Sequence, residues 1–169
     1  MGAKGINLAE EGRIMTLIPP IDRTGVATSS TIVCDMRGYV HATVICSIGL
    51  NGPTATGILR VLSVNKLPTC TVSTALAFRY YRYETNQLAA SGDIKGALTW
   101  AETTGIVPVA TTTGAMYVIE LDAEELPQDH IGFIIGYADP AAACVSSIIA
   151  ILTGPRYADN VLTAAPLYS

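Results

Sequence analysis

Two histidines, fourteen acidic residues and four cysteines bound the chemistry open to this chain. A Ser-His-Asp device would need His41 or His130 as its base, oriented by a carboxylate. His41 lies inside the apolar run Tyr39-Val-His-Ala-Thr-Val-Ile-Cys-Ser-Ile48, and His130 lies in a polar turn before Ile131. No Gly-x-Ser-x-Gly elbow is present to lift a nucleophile above a sheet. A triad is a spatial arrangement, and nothing in the spacing of these residues selects one. No catalytic residue is expected, and the chain is read as not an enzyme.

Metal and cofactor chemistry are equally unsupported. Asp122, Glu124, Glu125, Asp129 and His130 supply oxygen and nitrogen ligands, but not at EF-hand spacing, and an acidic turn after a strand is normally solvated surface. Cys34, Cys46, Cys70 and Cys144 form no Cys-x-x-Cys pair, so neither a zinc site nor a thioredoxin motif is indicated. Cys34, Cys46 and Cys144 sit in or beside apolar runs and read as buried free thiols, which fits assembly in a reducing compartment. Neither a Gly-x-Gly-x-x-Gly loop nor a Walker loop occurs, and residues 51–57 lack the lysine that a phosphate loop needs. The expectation is no metal and no cofactor.

The run Arg79-Tyr-Tyr-Arg-Tyr83 could stack on bases beside basic groups. Strand alternation divides it, with Phe78, Tyr80 and Arg82 on one face and Arg79, Tyr81 and Tyr83 on the other. Tyr and Arg are also the residues enriched where proteins bind proteins. The net charge of −4 and a pI of about 5.0 oppose binding to a phosphate backbone, whose affinity comes from cations releasing counterions. A protein interface is the favoured reading, with no nucleic-acid partner.

The elements that must position these groups are strands. With 169 residues the chain is long enough for one domain with a real core. Half of its residues are hydrophobic and only 14% are charged, so part of the outside is expected either to be covered by a partner or to be built from Ser, Thr and Asn. Val40, Ala42, Val44, Cys46 and Ile48 form one face of a strand; Tyr39, His41, Thr43, Ile45 and Ser47 form the other. Further strands are expected at residues 57–64, 77–84 and 98–103, and three more within residues 116–157. Asp122 to Leu126 has its acids placed for one helical turn, which Pro127 limits. Residues 14–18 should end at Pro19-Pro20 or form a sheet edge. No stripe of helical period runs for a full helix, and residues 141–152 are too short and too serine-bearing to span a bilayer, so no membrane partner is expected. Residues 1–12 carry no apolar signal-peptide core. The predicted fold is all-β: an antiparallel sandwich of jelly-roll type, with an N-terminal arm or edge segment over residues 1–18 and one β-sandwich domain over residues 19–169.

A family resemblance enters at the C-terminal stretch. Val118-Ile-Glu-Leu-Asp122, the acidic turn through Leu126, the strand ending Ala138-Asp139-Pro140 and the closing Ile149-Ala-Ile-Leu-Thr-Gly-Pro-Arg-Tyr157 are similar in layout to small structural proteins of tailed-phage virions. The likeness covers roughly residues 35–157 and is nearest to head decoration, or cement, proteins. It implies a jelly-roll domain, often trimeric, bound through the major capsid protein to the outside of a head and made in the host cytoplasm. A tail or connector component of the virion and a carbohydrate-binding β-sandwich using Trp100 are the alternatives. The residues expected at the interface are Ile6, Leu8 and Ile14 of the arm and Tyr80, Tyr81 and Tyr83 of the aromatic strand.

Overall fold

Alternating side chains put one face of an extended chain in contact with a core and leave the other outside, and the described strands of this chain repeat that solution. The structure is a computed structural model that describes residues 8, 12–26, 32–51, 56–67, 73–84, 94–108, 114–141 and 143–156. Its strands are β1 (Gly12–Asp22), β2 (Cys34–Asp35), β3 (Tyr39–Ile48), β4 (Leu59–Val64), β5 (Ser73–Leu76), β6 (Phe78–Glu84), β7 (Ile94–Lys95), β8 (Thr99–Ala101), β9 (Ala115–Asp122), β10 (Gly132–Tyr137) and β11 (Val145–Pro155). One 3-10 turn, Ala123–Glu125, follows β9 at the expected acidic turn. Its N-terminal end is closed by Asp122 N–H donating to Glu125 Oε2 at 2.9 Å.

The strands form two antiparallel sheets. The large sheet runs β1-β11-β3-β9-β6, with β7 and β8 both pairing the far edge of β6; the small sheet runs β2-β10-β4-β5. A single cluster of buried side chains joins them into a sandwich-like fold. The large sheet contributes Ala42, Val44, Cys46, Ile48, Tyr117, Ile119, Leu121, Ile148, Ala150 and Leu152; the small sheet answers with Cys34, Leu59, Val61, Phe133, Ile135 and Tyr137. Of the five β3 residues expected on the apolar face, Ala42, Val44, Cys46 and Ile48 are buried, whereas Val40 is 46% exposed. Val40 stands opposite Gly154, at the strand's outer end where the neighbouring strand supplies no side chain to cover it.

Of the two outcomes expected at Pro19-Pro20, the sheet edge is the one found: β1 continues to Asp22, with register irregularities between Thr16 and Ile18 and between Ile18 and Ile21. The prolines are tolerated because β1 is the sheet edge and the irregular register absorbs the missing donors. The strand expected at residues 77–84 is β6, but β5 just before it is not among the expected strands. β5 pairs in the small sheet and β6 in the large one, so the chain changes sheets at Ala77.

The corner between β1 and β10 is tied by a buried cation. Arg23, only 4% exposed, donates from Nη2 to the Tyr137 carbonyl and lies 5.7 Å from that ring's centroid. Gly132 is required where β2 crosses closest to β10: a Cβ there would collide with the Cys34 carbonyl oxygen.

Candidate interaction face on the large sheet

Because facing residues of paired strands share a side, the register defines the outward face of the large sheet row by row. One row reads Trp100, Arg79, Glu120, Thr43, Ile151 and Ile14 across β8, β6, β9, β3, β11 and β1. The next reads Tyr81, Val118, Ile45, Ile149 and Thr16, and a third reads Tyr83, Met116, Ser47 and Ser147. Behind the first row, Asp122, His41 and Thr153 face one another. The face therefore has an apolar centre of Val118, Ile45, Ile149, Ile151 and Met116, flanked by tyrosines, with charges gathered at one end.

That charged end is a continuous network. His41 places Nδ1 2.6 Å from Asp122 Oδ1 and Nε2 2.8 Å from Glu120 Oε2. Thr43 donates to the same Glu120 oxygen at 2.8 Å. Arg79 Nη2 donates to Asp122 Oδ2 at 2.9 Å and to Glu125 Oε1 at 3.1 Å. Burial of the imidazole works against its charge, but the hydrogen bonds to Asp122 and Glu120 outweigh burial and raise its pKa above 6.5. The bond from His41, together with that from Arg79, holds the Asp122 carboxyl below its ordinary value despite partial burial.

The residues of a hydrolytic triad meet here in name only. Thr43 Oγ1 lies 3.4 Å from His41 Nε2, yet that nitrogen is closer to Glu120, and the threonine proton already points at the same carboxylate. An imidazole that donates to an acceptor on both sides has, while it carries both protons, no lone pair to offer as a base. The acids considered as metal ligands are divided. Asp122 and Glu125 share Arg79, while His130 Nδ1 lies 2.8 Å from Ser63 Oγ on the small sheet. Among the described residues no three His, Cys, Asp or Glu side chains are grouped to hold a metal ion.

The expected interface residues fall in different places. Ile14 is 59% exposed on the edge strand. Leu8 lies against Gly12 at the start of β1, and Ile6 lies outside the described residues. Tyr81 and Tyr83 belong to the outward face, and Lys95 Nζ stands 3.8 Å over the Tyr81 ring. Tyr80 points the other way, its ring 5.9 Å from the buried Tyr117, and packs under the sheet. Cys34, Cys46 and Cys144 are buried free thiols, and burial pushes the Cys34 thiol up to about 12. Cys70 lies outside the described residues.

The ionic network escaped the sequence reading because its members come from strands far apart in the chain. Its only sequence signal is two pairs spaced by two residues in otherwise apolar strands, His41 with Thr43 and Glu120 with Asp122. Trp100, 62% exposed, adds an aromatic rim, with the Arg79 guanidinium 6.0 Å from its ring centroid. No protein-family model matches this chain, and a search of curated proteins finds no match.

Proposed function

We propose that this chain is a non-enzymatic structural protein of a tailed-phage virion, a decoration (cement) protein that docks on the major capsid protein from outside the head through the outward face of the large sheet. The observation that carries the docking role is the apolar centre of that face, Ile45, Val118, Ile149, Ile151 and Met116, on a sheet whose other side already fills the core. Contiguous apolar surface rimmed by polar groups is what protein-binding faces expose. The capsid assignment itself rests on the sequence resemblance. Repeated by shell symmetry, contacts of modest strength across subunit seams add up to tight binding, and a ligand of the assembled state stabilises it by linkage.

The proposed topology is a jelly roll, and nested pairing supports it. β1 pairs β11, β2 pairs β10, β3 pairs β9 and β4 pairs β5, as in one long hairpin. The pairings β11–β3 and β10–β4 then roll that hairpin into two sheets. β6, β7 and β8 extend the large sheet beyond this plan. Self-association as a homotrimer, by strand addition of a neighbour to β1, which pairs only β11 among the described residues and carries exposed Ile14, completes the proposal.

Quantitative mass spectrometry of gradient-purified particles tests it. A copy number comparable to the major shell protein is expected. A handful of copies would move the chain to the tail or neck, and absence from particles would remove the virion reading. A carbohydrate-binding role is the second reading, favoured by exposed Trp100 beside Arg79, with Tyr81 in the next row of the same face. Glycan-array binding abolished by Trp100→Ala would select it.

A further inference from the structure

We propose that His41 is a proton-operated latch at one end of the outward face, closed when the imidazole carries two protons and released when it loses one. The latch stands on the geometry alone; its consequence for docking rests on the use of this face proposed above.

His41 lies between two carboxylates on the neighbouring strand, Asp122 on one ring nitrogen and Glu120 on the other, at 2.6 and 2.8 Å. Only the imidazolium donates from both nitrogens, so both contacts are hydrogen bonds in one protonation state and one becomes a lone pair facing a carboxylate in the other. The surroundings make that change consequential. Among the described residues, β9 presents Glu120 and Asp122, the 3-10 turn presents Glu125 with exposed Glu124 beside it, and β6 presents Arg79. Thr43 of the same strand and Thr153 of β11 face the ring without charge. With His41 protonated, two cations, His41 and Arg79, stand against three bonded carboxylates, Glu120, Asp122 and Glu125; with His41 neutral, Arg79 alone does so. Like charges on neighbouring strand positions then repel, and the end of β9 with its acidic turn is held to β3 less tightly, by one imidazole hydrogen bond and the backbone ladder.

The direction in pH follows from the shifts. A folded-state pKa raised above 6.5 gives stabilisation that is fully present below 6.5 and is lost as pH rises through the folded value. The lowered Asp122 contributes above 3.8 and is lost as pH falls through its folded value. The latch is therefore closed between those limits and opens on the alkaline side first. In the docking reading, its opening adds negative charge to the rim of the apolar face and loosens one end, which makes adhesion to the shell weaker at higher pH.

The test begins with the isolated chain. Ring-proton NMR titration of both histidines, assigned with His130→Gln, is expected to give His41 a midpoint above 6.5. Asp122→Asn is expected to bring that midpoint down while leaving the fold in place. The melting temperature should fall between about pH 5.5 and about pH 8.5, and His41→Gln should remove that fall. A His41 midpoint at or below 6.5, or an identical pH slope in His41→Gln, would overturn the latch. Counting copies on purified particles washed at the same two pH values separates the two readings. Several-fold release at the higher pH is expected. Equal retention at both overturns the latch as a regulator of docking, whereas a chain missing from particles at both removes the capsid reading and leaves the latch to the titration.

Discussion

The large sheet has two apolar faces, and among the described residues only the inner one packs into the core. β11 shows this most simply: Ile148, Ala150 and Leu152 are fully buried, while Ile149 and Ile151, alternating with them, lie half-buried on the outside. β3 and β9 repeat the pattern, with Val44 and Ile119 inward and Ile45 and Val118 outward. A half-solvated antiparallel sheet normally alternates apolar with polar, and continuous apolar runs belong to strands covered on both sides. The inner face accounts for folding. The outer one keeps its central apolar side chains only partly buried, and that surplus is what supports the covering partner proposed above.

This contrast can be broken by substitution, and the largest effect is expected inside. Phe133→Ala, at a fully buried side chain, should destabilise the chain by about 3–5 kcal/mol in denaturant titration, from lost transfer energy and the cavity left behind. Leu152→Ala should cost about 2–5 kcal/mol on the same ground. The alternating neighbour gives the comparison its edge. Ile151→Thr should change stability by about 1 kcal/mol or less, while a combined Ile45→Thr, Val118→Thr and Ile149→Thr variant should fold yet lose attachment to particles in a pelleting assay. Equal attachment by that variant would remove the outward face as the docking surface. The smallest effect concerns the thiols. Cys34, buried with its pKa raised to about 12, should react with a thiol reagent only when the chain opens, so its labelling rate should rise steeply with denaturant.

Much of the fold was legible in the chain, because strand alternation is a local signal. The inward residues from Ala42 to Ile48, the three strands within residues 116–157 and the acidic turn at Ala123–Glu125 lie where period and turn chemistry place them. Which of the two outcomes expected at Pro19-Pro20 holds was not legible, since only the sheet order puts β1 at the edge. Nor was the change of sheet at Ala77, which no residue type in the apolar run announces. The aromatic strand was read correctly as two faces, but which face met the core awaited its partner: the register opposite Ile119 turns Tyr80 inward, and the register opposite Val118 turns Tyr81 outward.

By itself the sequence determined that this is an all-β chain whose strands carry more apolar side chains than one buried face requires, because composition and a period of two are properties of neighbouring residues. Only the tertiary structure decided that His41 meets Asp122 and Glu120, that Arg79 joins them from a third strand, and that the surplus apolar residues line up in one continuous face. Those are matters of register between strands separated by up to about eighty residues, and register is set by which faces can be buried together across the whole sheet rather than by any local stretch of chain.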